Sequence, residues 1–144
     1  MCSSDLTFGY RSVTIAGDYQ PVAADLDGDQ REDIVWRTAA GGPTPVWYGG
    51  ATSPSGFSTA TIDYGPADRM VFGDIDGGGV DDLVTVDPAN TATVWLRRPG
   101  GERSPRQEVV PTGAQPLLLD IDGDGRREIL WWIDGTTAAL WRPF

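Results

Sequence analysis

Short apolar runs alternate with acidic, glycine-rich turns along this chain. Leu117, Leu118 and Leu119 precede one such turn, and Ile129, Leu130 and Trp131 follow it. Val35 and Val84 hold the corresponding place after two earlier turns. Apolar runs this short, hinged by a tight turn, read as β-hairpins. The pattern predicts strands near 20–25, 33–37, 45–49 and 57–63, then 69–74, 82–86, 92–97 and 106–111, and finally 116–120, 128–133 and 137–142. A further strand is expected over 8–16, because Phe-Gly-Tyr-Arg-Ser-Val-Thr-Ile-Ala there matches Phe57 to Tyr64. Twelve strands make three blades of four antiparallel strands. The fold class is therefore all-β, of the propeller type, with residues 8–16 as a closing strand and blades over 17–65, 66–113 and 114–144. Breaker-rich stretches such as Gly49-Gly-Ala-Thr-Ser-Pro-Ser-Gly and Arg98-Pro-Gly-Gly-Glu join the strands.

The turns between first and second strands repeat in sequence. Asp25-Leu-Asp-Gly-Asp-Gln-Arg-Glu-Asp33, Asp74-Ile-Asp-Gly-Gly-Gly-Val-Asp-Asp82 and Asp120-Ile-Asp-Gly-Asp-Gly-Arg-Arg-Glu128 start 49 and then 46 residues apart. Such a period marks a propeller or solenoid. Acidic side chains recur at loop positions 1, 3, 5 and 9, a spacing that lets alternate residues converge on one hard cation such as Ca2+. The expected ligands are Asp25, Asp27, Asp29 and Asp33 in the first loop, Asp74, Asp76 and Asp82 in the second, and Asp120, Asp122, Asp124 and Glu128 in the third. Position 7 would add a backbone carbonyl, from Arg31, Val80 or Arg126. The second loop is the weaker site, since Gly78 replaces the position-5 carboxylate. An EF-hand is excluded: its position-12 Glu is missing, with Trp36, Thr85 or Trp131 there instead. The competing reading is three solvated acidic turns with no ion.

This repeated D-x-D-G-D-x-x-x-D between apolar strands resembles the FG-GAP/VCBS repeat of integrin alpha-subunit propellers and many secreted bacterial proteins. The resemblance runs from Phe8 onward. It implies that each loop joins the first two strands of a blade and holds Ca2+. It also implies that ligands are recognised on the opposite face, at Thr38–Thr44, Asp87–Ala92 and Asp134–Thr137, and that the setting is secreted or at the cell surface.

Composition narrows the function. With 11 basic and 21 acidic residues the net charge is −10, which argues against nucleic acid. Thirteen of the 21 acids and three of the 11 Arg lie in the three loops, so the remaining eight acids face eight Arg and the rest of the chain is close to neutral. There is no His, so the commonest general base is missing, and the acids outside the loops show no paired pattern; the chain reads as non-enzymatic. The single Cys2 cannot form an internal disulfide. No apolar run approaches the ~20 residues of a membrane span. Residues 1–7 read as a leader or artefactual start, with further blades expected from a longer parent chain or from a second copy, since three blades are too few to close a ring.

Trp47, Trp95 and Trp141 share one phase of the repeat and read as core between blades. Trp36, Trp131 and Trp132 are the candidates for stacking on a glycan or protein ligand. Trp131 and Trp132 must point to opposite sides of their strand. Two functions fit: a calcium-binding module for adhesion or ligand recognition, or a structural accessory domain of a secreted carbohydrate-active enzyme.

Overall fold

The computed structural model describes residues 12–38, 41–50, 56–98 and 105–142. They form three antiparallel sheets, with no helix among the described residues. The first sheet contains β1 (Gln20–Ala24), β2 (Asp33–Arg37), β3 (Pro43–Tyr48) and β4 (Ser58–Asp63) in sequential order. The second contains β5 (Arg69–Gly73), β6 (Asp82–Val86), β7 (Thr91–Trp95) and β8 (Arg106–Val109), again in order. The third contains β9 (Gln115–Leu119), β10 (Glu128–Trp132) and β11 (Ala138–Trp141). The all-β, blade-type architecture expected from the pattern is what the structure shows, as an array that does not close among the described residues.

Register follows from alternation. Val35 sits opposite Val22 on one side and Val46 on the other, Val84 opposite Val71 and Val94, and Leu130 opposite Leu117 and Leu140. Each row lies on one face of its sheet, because successive side chains point to opposite faces. The row of the first sheet packs with Ala24, Leu26, Ile62 and Phe72, the last supplied by the second sheet. The row of the second sheet packs against Leu118, Ile129 and Trp131 of the third. Each sheet thus lays one face on its neighbour, and the first strands β1, β5 and β9 run side by side.

Two details differ from expectation. Residues 12–16, the described part of the anticipated closing strand, are irregular, and 8–11 lie outside the described residues. Strand β3 begins at Pro43, earlier than expected, yet its ladder to β2 contains only Ile34–Trp47 and Val35–Val46. Pro45 offers no N–H to continue it. In the second sheet, where no proline intervenes, the same ladder extends to Val86–Ala92.

Candidate metal centre

The three acidic loops connect β1 to β2, β5 to β6 and β9 to β10, at the same end of each sheet. The position-4 glycines let the chain turn: Gly28, Gly77 and Gly123 have φ of 79°, 75° and 77°, a region costly for a residue with a Cβ. Each position-1 aspartate then folds the loop around itself. Asp25 accepts from the Gly28 and Gln30 amides at 2.7 and 2.8 Å, Asp74 from Gly78 and Gly79 at 2.9 Å each, and Asp120 from Gly123 and Gly125 at 2.6 and 3.0 Å. In the first and third loops positions 3 and 5 make shorter-range bonds of the same kind, Asp27 to the Asp29 amide and Asp29 to the Arg31 amide, and Asp122 to Asp124 and Asp124 to Arg126.

This folding gathers three carboxylates in every loop. Asp25, Asp27 and Asp29 bring one oxygen each within 4.8 Å of one another, and so do Asp120, Asp122 and Asp124. The second loop gathers Asp74, Asp76 and Asp82, drawing on position 9 in place of position 5. A Cβ on Gly78 would lie 2.7 Å from Asp76 Oδ1, so a side chain there would have to displace the Asp76 carboxylate. Oxygen donors this dense, on rigid turns, are the chemistry of a Ca2+ site. The second loop adds a sharper indication. The Asp76 side chain is 4% exposed, and its Oδ1 is buried with no hydrogen-bond partner among the described residues. A buried, unpartnered carboxylate oxygen is costly unless a cation meets it.

Position 9 does something other than expected in the first and third loops. Asp33 and Glu128 are not in the gathered sets. Asp33, fully buried, accepts from the Leu26 amide at 2.9 Å and the Gly49 amide at 2.8 Å, so both oxygens are used to tie the loop to the end of β3. Asp82 makes the same ties, to Ile75 at 2.8 Å and Arg97 at 2.7 Å, and Glu128 accepts from Ile121 at 3.0 Å. Glu128 still borders a pocket of about 100 Å3 shared with Asp122 and Asp124. Burial pushes the carboxyls of Asp33 and Asp81 above the usual range, and that of Asp82 up to about 6; backbone amides pull the other way. Of the position-7 residues, Arg31 and Arg126 are exposed and Val80 is buried.

Arginine side chains attend each loop, a pairing the sequence pattern did not indicate; of Arg31, Arg98 and Arg142, only Arg31 was expected at a site, through its backbone carbonyl. Arg31 lies 3.9 Å from Asp29 and Arg142 lies 3.9 Å from Asp122, both exposed pairs. Arg98 is different: its Nε and Nη2 both donate to Asp76 Oδ2 at 2.8 Å. Asp81, at position 8, is a second residue without a sequence signal. Its carboxylate accepts the Asp25 amide, at 2.9 Å, from the neighbouring loop.

Tryptophan placement separates the three ligand candidates. Trp131 is 1% exposed and meets Trp141 edge-on at 4.9 Å, so the expectation that it offers a stacking face is corrected. Trp36 is half-buried against Tyr19 and Trp47. Trp132 is 54% exposed on the opposite side of β10 from Trp131. Trp47, Trp95 and Trp141 are half-buried; Trp141 packs against the core shared by the second and third sheets, whereas Trp47 lies on the face of the first sheet that carries Ile34 and Trp36. A groove of about 540 Å3 opens between the second and third sheets, floored by Ala92, Val94, Leu96, Ile129 and Trp141.

No family model and no curated protein matches this sequence. Among solved structures, a chain of the Photorhabdus luminescens Tc holotoxin pore is similar, with 21% identity and a TM-score of 0.59 over 88% of this chain. The match spans 6% of that chain's length, and it bears on the fold alone.

Proposed function

We propose that the chain is a calcium-binding β-propeller module of the FG-GAP/VCBS type that serves ligand recognition in a secreted or cell-surface protein, without catalytic activity of its own. The observation that carries this reading is the gathering of three carboxylates in each of three repeated turns, with Asp76 Oδ1 buried and unpartnered in the second. Asp25, Asp27 and Asp29, then Asp74, Asp76 and Asp82, then Asp120, Asp122 and Asp124 hold the ions. The ion supplies positive charge that lets these carboxylates sit together, and so fixes each hairpin.

Recognition of a glycan or extracellular protein is assigned to the other end of the sheets. Antiparallel order places the β2–β3, β6–β7 and β10–β11 turns there, away from the acidic loops. The second and third of these turns are tightly built: the Thr91 amide donates to Asp87 at 2.8 Å, and the Thr136 amide and hydroxyl donate to Asp134 at 2.8 Å each. Rigid turns on a stable scaffold suit a binding surface. A glycan and matrix-protein array, probed with and without Ca2+, tests the reading. Binding that needs Ca2+ and is lost on substitution of Thr136 and Thr137 supports it. No binding to any array member favours the accessory-domain alternative.

A further inference from the structure

The contacts between neighbouring sheets follow one rule, and the chain carries both unmatched halves of a further contact. At the loops, the position-8 amide of one repeat donates to the position-1 carbonyl of the repeat before it: Asp81 to Asp25 at 2.8 Å and Arg127 to Asp74 at 2.9 Å. Beside each bond, the position-7 side chain of the later loop covers the position-4 glycine of the earlier one. A Cβ on Gly28 would lie 3.0 Å from Val80, and one on Gly77 would lie 3.2 Å from Arg126. Among the described residues, nothing lies within 4 Å of a Cβ on Gly123. The acceptor left over among them is the Asp120 carbonyl, and the donor left over is the Glu32 amide, with Arg31 as the covering side chain.

The sheet faces repeat the arrangement. Val84 and Val86 are 0% exposed because the third sheet lies over them. Leu130 and Trp132 hold the same two positions on β10, and there the face is open: Leu117 is 54%, Leu140 42% and Trp132 54% exposed. The side chains that do the covering are Leu83 and Thr85 in the second sheet, and Ile129 and Trp131 in the third. All four are buried. Their counterparts in the first sheet, Ile34 and Trp36, remain partly exposed.

We infer that the open face of the third sheet, built from Leu117, Leu130, Leu140 and Trp132, is a docking surface for the first sheet of a second copy of this chain. Ile34 and Trp36 of that copy cover Leu130 and Trp132, its Glu32 amide donates to the Asp120 carbonyl, and its Arg31 lies over Gly123. The contact is head-to-tail, so each copy uses two different faces. Continuity with the two interfaces inside the chain identifies the occupant, since the complementary half is present on the same molecule.

Light scattering on the full chain, with amide exchange on the same sample, tests this. The expected mass is a multiple of 15.5 kDa, falling to 15.5 kDa in Trp132→Glu and in Leu117→Glu. Both side chains point away from the core, so the circular dichroism of the variants stays that of the parent. Exchange of the Glu32 amide is slower in the parent than in Trp132→Glu, by about tenfold or more. A parent mass of 15.5 kDa up to roughly 100 μM overturns the inference. So does association that survives both substitutions, equal Glu32 exchange in parent and variant, or a monomer that loses glycan binding on Trp132→Glu.

Discussion

Asp25 and Asp81 grip each other across two repeats: the Asp81 amide donates to the Asp25 carbonyl at 2.8 Å, and the Asp81 carboxylate accepts the Asp25 amide at 2.9 Å. The third repeat keeps the backbone half of this pair, through Arg127, and lacks the carboxylate half. Asp81→Ala therefore leaves the Asp25 amide without its acceptor, at a cost of about 1–2 kcal/mol. Arg127→Ala, whose amide still donates, costs less than Asp81→Ala. Urea unfolding of the two variants checks the order.

Position 9 and position 5 of the first loop separate structure from metal binding. Asp33 ties two backbone amides and is buried; Asp29 is exposed and belongs to the gathered carboxylates. In EDTA, Asp33→Ala lowers stability by about 2–4 kcal/mol and Asp29→Ala changes it little. With Ca2+ present, both variants are less stable than the parent. Thermal melts in the two buffers give the comparison.

Arg98 supplies a positive charge to the second loop that the other loops receive only from exposed pairs at 3.9 Å. Removing it exposes Asp76 to its acidic neighbours. Arg98→Gln is expected to tighten Ca2+ binding at that loop by about tenfold, since the guanidinium no longer competes for Asp76. It should also weaken the ion-free loop, seen as faster exchange of the Gly78 and Gly79 amides in EDTA. Arg31→Gln changes neither quantity at its own loop by more than about twofold.

Stability in EDTA falls as pH rises from about 4 to about 6. Burial raises the Asp82 carboxyl to about 6, above its ordinary 3.8, and raises Asp33 and Asp81 in the same direction. The folded chain thus binds more protons than the unfolded chain across that window, so removing them favours unfolding. The net charge of −10 at neutral pH adds to the trend. Ca2+ suppresses it by favouring the ionised carboxylates. Melting temperature against pH, with EDTA and with Ca2+, measures both slopes.

Much of this molecule was legible in its sequence. Repeated acids and glycines located the three turns, and period-two alternation located the eleven described strands, because both are local signals. Opposite burial of Trp131 and Trp132 followed from strand geometry alone. What escaped was set by partners far apart in the chain. Nothing near Asp33 announces that Gly49 and Leu26 take both its oxygens, and nothing near Arg98 announces Asp76. The proline that shortens the β2–β3 ladder was visible, but its place inside a strand was not, since a missing N–H is also tolerated at turns. Gln30, with φ 65° where the other loops have Gly79 and Gly125, shows that position 6 needs a left-handed residue, a requirement the acidic pattern concealed.

Whether the acidic loops hold Ca2+ is decided by calorimetric titration of the EDTA-stripped chain, followed by melting of the titrated sample. The expected result is two tighter ions and a weaker third per chain, a melting temperature that rises with occupancy, and loss of one tighter ion in Asp122→Ala. A flat titration, with a melting temperature indifferent to Ca2+ and EDTA, contradicts it.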